Sequence, residues 1–440
     1  MKKKLWLIPN LIVIYLSITY IMYVIGPYNW PSDNFTLLTL YLLVLFLLII
    51  FGFYLAYRKL NGSLQYKSKG KFFIFFIETL IILNLFYQLW GIVSYTSIET
   101  LSFSNIINNL SLGLSKPGDS YYEKIGNIPI AFGISAAPWV VLAPLTYSST
   151  PLFLYNYKTV RPLFKILGVL TILVELTRWI SIGTNQGIIG VAFIFITVFL
   201  VKYLRNNLMN KSNKMISISF KKLFLRFLIF MLILFGIIFF ILSISDRINS
   251  VANFHIGGIY PDMENIFVKY TPDFIGTGVI LISSYLTQGY YALSMLLPLE
   301  NMSMLGIGHS NFLISNFSEL FNKEYFLNTY QMKLASIGWH PTIYYHTFFT
   351  WIANDVGFIG ALFVVFIFSY YCGYIIKKSV YEENQLAIII LSLLLSIFFY
   401  MPSNNVVLST PNTFMAFWVL SISMFFMESC PRIVLRKKRF

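Results

Sequence analysis

FTLLTLYLLVLFLLIIFGFYLAY, residues 35–57, is a run of the chain without a single charged side chain. A bilayer core about 30 Å thick is crossed by a helix of about 20 apolar residues, so this run is long enough to span a membrane. Similar runs recur along the chain and predict about ten spanning helices. We expect them at 5–25, 35–57, 72–97, 128–149, 164–182, 187–204, 223–244, 357–376, 385–401 and 413–430.

The composition excludes an ordinary water-soluble protein. Of the 440 residues, 57% are apolar and 11% are charged, whereas soluble domains have roughly 25% charged residues. The first run, preceded by Lys2, Lys3 and Lys4, is longer than a signal-peptide core and no A-x-A site follows it, so it predicts an uncleaved helix. Cys372 and Cys430 have neither a paired nor a metal-type spacing. We therefore expect an all-α polytopic integral membrane protein.

The positions of Lys and Arg predict the orientation of these helices, because basic loop residues stay on the cytoplasmic side. Of the 32 basic residues, 25 fall in clusters at alternate sides of successive spans. These clusters lie at 2–4, 58–71, 158–165, 202–226, 377–378 and 432–439. Both termini are then cytoplasmic. The formal charge of +15 becomes a signal of topology and gives no support to a nucleic-acid partner.

One connection on the outer side is much longer than the others, and it contains all four histidines of the chain. It divides the sequence into spans one to seven at 1–244, a large extracytoplasmic loop at 245–356, and spans eight to ten with a basic tail at 357–440. A scaffold alone does not require such a loop. We therefore place the chemistry there.

Two stretches of this loop carry further expectations. Residues 274–299 are apolar enough to span, but one crossing there would reverse every later helix, so a re-entrant or interface-lying hairpin is expected. The alternative is an eleventh span paired with an unrecognised twelfth. Residues 341–376 are too long for one crossing, and Asn354, Asp355 and Gly357 mark the expected break. A helix at 342–353 would then lie on the membrane surface.

The histidines of the loop are the first candidates for catalysis. His340, in GWHP, can take a proton from a hydroxyl near neutral pH; the alternative is an interfacial histidine beside Trp339. His346 follows six residues later and could face the opposite side of the helix. His309 lies in GIGHS, a glycine-rich turn that could bring backbone amides close to a ligand, or could be a plain loop. No Walker loop, Rossmann fingerprint or H-E-x-x-H motif occurs, so the sequence predicts no cofactor and no metal.

Ionisable residues in and near the spans are the second set of candidates. Glu175 and Arg178 are three residues apart on one helix face, and an Arg close to headgroup depth suits a lipid phosphate. A buried structural ion pair is the alternative. Arg247 could bind phosphate or anchor a helix end. Glu78 is expected to pair with a base on the cytoplasmic side or to line an inner cavity. Tyr290 is one of several loop tyrosines that suit either sugar stacking or an aromatic belt.

Four segments give the sequence a resemblance to a known family: YLTQGYYALS at 285–294, GIGHSNF at 306–312, GWHPTIY at 338–344 and NDVGFIG at 354–360. Together with the spans and the large loop, they resemble the Wzy-type polymerases of O-antigen and capsule repeat units and the related O-antigen ligases. On that resemblance His340 takes the place of the family histidine, and Asp355 precedes the family's terminal glycine motif. The element GTNQG at 183–187 departs from the family pattern, which has an Arg there, and this leaves the role of Arg178 in question.

The resemblance implies glycosyl transfer at the outer face of the bacterial cytoplasmic (inner) membrane. A glycan on undecaprenyl diphosphate would move onto a second lipid-linked repeat unit. His340 would be the base, assisted by Asp355, with Glu175 as a further catalytic candidate. Arg178 and Arg247 would hold the diphosphate, and His309, His346 and Tyr290 would contact substrate. The implied partners are the lipid-linked oligosaccharide, membrane lipids and a chain-length regulator. The alternatives are a flippase for the same lipid-linked sugar and a ligase that uses another acceptor.

Overall fold

The structure is a computed structural model that describes residues 5–31, 33–58, 70–96, 102–124, 126, 137–209, 220–246, 254–300, 303–317 and 327–429. Within these ranges the regular secondary structure is helical, and the extended backbone is limited to isolated bridges. The expected all-α fold class is confirmed.

The helices are numbered in chain order. The first nine are α1 (Leu7–Ile25), α2 (Phe35–Arg58), α3 (Lys71–Thr96), α4 (Phe103–Ser115), α5 (Pro117–Lys124), α6 (Ala137–Asn156), α7 (Pro162–Ile182), α8 (Gln186–Met209) and α9 (Phe220–Ser245). The others are α10 (Ile266–Lys269), α11 (Asp273–Leu296), α12 (Asn311–Phe317), α13 (Tyr330–Ala335), α14 (Phe348–Tyr381), α15 (Gln385–Tyr400), α16 (Val406–Ser409) and α17 (Pro411–Ser429). Each of the ten predicted spans overlaps one helix, and residues 97, 128–136 and 430 of these spans lie outside the described residues.

Within the described ranges, five helices are long and apolar enough to cross a membrane: α1, α2, α3, α8 and α14. Shorter apolar stretches lie in α9, α15 and α17. On α2, Leu40, Leu43 and Leu47 are more than half exposed, although Leu38 and Leu45 on the other side of the helix are buried. A helix that is apolar all round is typical of a membrane-embedded protein. The number of ten crossings and their orientation stay predictions.

Contacts between helices define two ends of the bundle. At the first, called the basic end, Arg161 donates to Glu78 and Arg205 lies 2.9 Å from the carboxylate of Glu383. At the second, called the loop end, Gln186 donates to Thr410. α7 runs from the basic end, next to Arg161, to the loop end, and α8 returns from Gln186 to Arg205. The expected pairing of Glu78 with a base is also found.

Two helices that the sequence reading leaves out cover the loop end of α7. The apolar face of α4 packs on α7, where a Cβ on Gly113 would lie 2.1 Å from the carbonyl oxygen of Ile180. α5 follows directly, and its Lys124 is buried and donates to the carbonyl of Ser181. The described residues 102–124 of the connection between α3 and α6 are therefore a helical cover on the loop end of α7.

The stretch at 274–299 corrects one expectation, because it forms the single continuous helix α11 and not a hairpin. α11 runs antiparallel to α1: Gly26 lies against Ser283, and Thr19 bonds Tyr290 further along. α11 contains glycines without being interrupted. Gly289 allows close packing instead, because a Cβ there would lie 2.3 Å from the carbonyl oxygen of Pro402.

The break expected between Asn354 and Gly357 is confirmed, and its surroundings differ from the expectation. Gly357 has φ 68° and ψ 172° inside α14, a conformation that side chains of L-residues rarely adopt. The segment before it begins at Phe348, six residues later than expected. It is buried, with Phe348, Phe349 and Ala353 at most 1% exposed, so it does not lie on a membrane surface.

Candidate functional site

A buried carboxylate at the break of α14 organises the loop end. The Oδ1 of Asp355 accepts the backbone N–H groups of Gly306 and Gly308 at 3.0 and 2.8 Å, and Oδ2 accepts that of His309 at 2.9 Å. The amides of the GIGHS turn therefore bind Asp355 rather than a ligand. This corrects the expectation that the turn would present its amides to substrate.

The same carboxylate pairs with a different histidine from the one that the sequence suggests. The Nδ1 of His309 lies 2.9 Å from Oδ2 of Asp355, and its Nε2 is buried without a hydrogen-bond partner among the described residues. His340 is exposed, and its Nδ1 lies 2.8 Å from the hydroxyl of Thr342. The expected assistance of His340 by Asp355 therefore has no geometric basis.

The turn that Asp355 holds is also bonded to the segment that joins α15 to α17. Asn405 donates to the carbonyl of His309 at 2.5 Å, and the hydroxyl of Ser310 donates to the carbonyl of Leu408. On the other side of the turn, Asn354 donates to the carbonyl of Gly308 at 2.9 Å. The break in α14 thus fixes the position of residues 405–410, some of which line the cavities described next.

An inner cavity of about 130 Å³ lies between α3, α6, α7, α8 and the α15–α17 segment. Both ionisable residues singled out in the fifth span line it. Its polar lining residues are Asn84, Gln88, Thr146, Thr150, Glu175, Arg178, Gln186, Ser396, Thr410, Asn412 and Thr413, with Tyr87, Tyr147, Trp179 and Tyr400 as aromatic walls. The structure therefore brings Glu175 and Arg178 into one cavity inside the bundle.

Arg178 is held in place by packing. It is 3% exposed, and its guanidinium lies 4.7 Å from the centre of the Trp179 ring. Gly91 of α3 gives it room, because a Cβ at that position would come within 2.7 Å of Nη1. A planar guanidinium fixed in this way at a cavity wall is suited to bind a carboxylate or a phosphate.

An outer cavity of about 200 Å³ adjoins the inner one, and both are lined by Gln186, Tyr400 and Val406. Its remaining lining residues are Tyr121, Thr184, Asn185, Ile189, Phe240, Ile244, Tyr285, Tyr345, Ser403 and Asn404. The GTNQG element at 183–187 therefore lies at the site and contributes hydroxyl and amide groups to it.

Several buried polar atoms at these cavities lack a hydrogen-bond partner among the described residues. They are Oε1 of Gln88, Oγ1 of Thr184, Oδ1 of Asn185 and the hydroxyl of Tyr400. Buried polar groups in proteins nearly always have a hydrogen-bond partner. Several buried polar atoms without one around the same cavity therefore indicate a place for a ligand or for water. Sequence reasoning missed Gln88 and Tyr400, although Asn84 and Gln88 inside an apolar run were a usable signal.

The other predicted site residues lie elsewhere. Tyr290 is 1% exposed, and its hydroxyl lies 2.9 Å from that of Thr19, so it belongs to the core and not to a sugar surface. His346 is 2% exposed with both ring nitrogens lacking a partner among the described residues, and burial lowers its pKa to about 3. Arg247 lies outside the described residues.

The described residues contain no cluster of three or more His, Cys, Asp or Glu side chains that could hold a metal ion. The candidate site is therefore the pair of adjoining cavities, with the His309 and Asp355 pair bracing one wall. No family model matches this chain, and neither a curated protein nor a solved structure is detectably similar to it.

Proposed function

We propose that this chain is a glycosyltransferase that lengthens an oligosaccharide carried on a lipid diphosphate. The observation that supports this function best is the pair of adjoining cavities. One contains a guanidinium and a carboxylate, and the other is lined by tyrosines, amides and hydroxyls. A cation for the leaving diphosphate and polar, aromatic walls for the sugars are the groups that such a transfer requires.

The transfer needs a base and a group that takes up negative charge. The acceptor hydroxyl attacks the anomeric carbon, and the bond from that carbon to the diphosphate oxygen breaks. Glu175 takes the hydroxyl proton, and Arg178 stabilises the charge that develops on the leaving diphosphate. We place the base at Glu175 and no longer at His340, because Glu175 lines the cavity whereas His340 is exposed.

The apolar outer surface of the helices suits substrates with long hydrocarbon chains, which can approach from the bilayer. We propose undecaprenyl diphosphate as the carrier, the bacterial cytoplasmic membrane as the location and its outer face as the side of the loop end. The second substrate is another lipid-linked repeat unit, and a chain-length regulator is a proposed protein partner.

A flippase and a ligase would use the same kind of cavity as a polymerase. The assay must therefore distinguish these three activities. Purified protein in detergent, given only a lipid-linked repeat unit, forms a ladder of longer glycans if it is a polymerase. A flippase gives no ladder, because detergent leaves no second compartment. A ligase gives none until another acceptor is added.

Arg178→Lys tests the role assigned to the guanidinium. A lysine keeps the charge but loses the two parallel hydrogen bonds to a phosphate, so ladder formation should fall by about 10²-fold or more. Arg58→Lys, at the exposed end of α2, is the matched control and should lengthen glycans at the wild-type rate. Wild-type turnover by a folded Arg178→Lys protein would overturn the assignment.

A further inference from the structure

We infer that the outer cavity binds an uncharged sugar of the substrate. The sugar unit next to the reacting centre then carries neither a carboxylate nor a phosphate. This inference rests on the proposed function, because it takes the inner cavity as the place of reaction. It adds a class of sugar and assigns the residues that select it. Three features of the outer cavity support this inference: the aromatic wall, the unsatisfied polar atoms and the absence of charged side chains among the described lining residues.

Aromatic rings form one wall of the outer cavity. Tyr285 lies between Phe240 and Tyr345, with ring centres 4.9 and 5.0 Å apart. The backbone N–H of Tyr345 donates to Gln288 at 3.0 Å, which fixes that residue in turn. Rings held in this way offer a rigid apolar face with polar edges, which is the surface on which a sugar ring can pack.

Unsatisfied polar atoms line the cavity from two other elements. Thr184 and Asn185 come from the turn between α7 and α8, and Tyr400 comes from the end of α15. The Nδ2 of Asn185 donates to Ser243 at 3.4 Å, so whichever way its amide is turned, one amide atom has no partner among the described residues. Two hydroxyls and an amide match the hydroxyl and acetamido groups of a sugar, which both donate and accept.

No charged side chain lines this cavity among the residues that the structure describes. Two ionisable groups close in sequence to lining residues, Asp246 after α9 and Lys124 of α5, make bonds of their own. Asp246 accepts the backbone N–H of Gly118 at 2.8 Å, and Lys124 donates to Asn109 at 2.8 Å and to the carbonyl of Ser181. Among the described residues, an anionic sugar would find no cation in the outer cavity to replace its hydration, which disfavours it strongly.

The test measures binding without turnover. The full-length protein in lipid nanodiscs is titrated with methyl glycosides of glucose, galactose, mannose, rhamnose, N-acetylglucosamine and N-acetylgalactosamine, and with the methyl uronides of glucose and galactose. Saturation-transfer NMR reports contact with each. We expect at least one neutral glycoside to bind, and both uronides to bind at least about tenfold more weakly than it does. In the double variant Thr184→Val with Tyr400→Phe, the neutral signal should fall by about tenfold. Tyr54→Phe, on the lipid-facing side of α2, is the control and should change nothing.

Binding of a uronide as strong as that of the neutral glycoside overturns the inference. So does the absence of binding by every neutral glycoside, or a neutral signal that survives the double variant. Each of these results leaves ladder formation and its dependence on Arg178 untouched, so the proposed function can stand without the sugar preference. Conversely, neutral-sugar binding with no ladder from a lipid-linked repeat unit contradicts the function and leaves the binding site in place.

Discussion

At the scale of single residues, Asp355 shows how one buried carboxylate can hold a functional region together. It accepts three backbone amides and faces the ring of His309, so it satisfies donors that a tight glycine-rich turn would otherwise bury without partners. Its side chain is 9% exposed. The bonds of an ionised carboxylate to amides are the strong ones among hydrogen bonds in proteins.

Asp355→Asn should therefore destabilise the loop end. The amide keeps two acceptor sites but turns an NH₂ group towards donors, and it loses the charge, so we expect a loss of about 3 kcal/mol in unfolding free energy. Thermal unfolding in detergent measures it. Asp262→Asn is the control, because the carboxylate of Asp262 accepts a bond in an exposed turn. An Asp355→Asn protein as stable as the control would contradict the bracing role.

His346 predicts how stability depends on pH. Its pKa lies at about 3 in the folded chain because burial disfavours the charged ring, compared with about 6.5 when unfolded. Between these values the unfolded chain binds the extra proton, so stability is complete above about pH 6.5 and falls as the pH decreases. We expect the protein to be about 2 kcal/mol less stable at pH 5 than at pH 7 through this group.

The predicted loss of stability at low pH is checked by measuring the melting temperatures of the wild type and of His346→Gln at pH 5 and pH 7. The variant should lose most of the difference between the two pH values. His255→Gln is the matched control, since His255 is exposed, and it should keep the wild-type pH dependence. An equal decrease in all three proteins would assign the pH effect to other groups.

At the scale of elements, the break of α14 joins the membrane part of the helix to the site. It lets the first segment pack inside the bundle while the rest runs alongside α2, where the hydroxyl of Tyr41 donates to the carbonyl of Phe358 just past the break. Gly357→Ala should cost about 1–3 kcal/mol of stability, because an L-residue is strained at φ 68° and ψ 172°.

The unfolding temperature of Gly357→Ala, measured beside that of Gly236→Ala, tests the break. Gly236 is helical in α9, and a Cβ there would meet only a methyl of Ile188 at 3.9 Å, so that control should be neutral or slightly stabilising. If Gly357→Ala is as stable as Gly236→Ala, the break is not an obligatory feature of the fold.

The elements also show which structural features a sequence can predict. Runs such as 35–57 predict helices because length and lack of charge are local properties, and the break at Gly357 follows from the excess length of one run. The sequence predicts a hairpin at 274–299 because a single crossing there would reverse every later helix, whereas the structure has one continuous helix that packs on α1. The family resemblance pairs Asp355 with His340, whereas its partner in the structure is His309, 46 residues away in the sequence.

At the scale of the whole molecule, polar chemistry is separated between the two ends. At the basic end, the carboxylates of Glu78, Glu382 and Glu383 lie within 2.6 to 3.1 Å of Arg161, Lys378 and Arg205. Towards the loop end, Glu175 and Arg178 line the inner cavity, which adjoins the outer cavity with its unsatisfied polar atoms. The ion pairs of the basic end stabilise the bundle, whereas the polar groups near the loop end are arranged around a void.

The claim that glycan transfer occurs in the inner cavity is tested most directly by replacing its carboxylate. Glu175→Gln keeps the size of the side chain and removes its ability to take a proton. With a lipid-linked repeat unit in detergent, we expect this variant to form a glycan ladder about 10²–10⁴-fold more slowly than the wild type. Glu264→Gln, an exposed carboxylate of the loop, should be unaffected. A folded Glu175→Gln protein that lengthens glycans at the rate of Glu264→Gln would contradict the account.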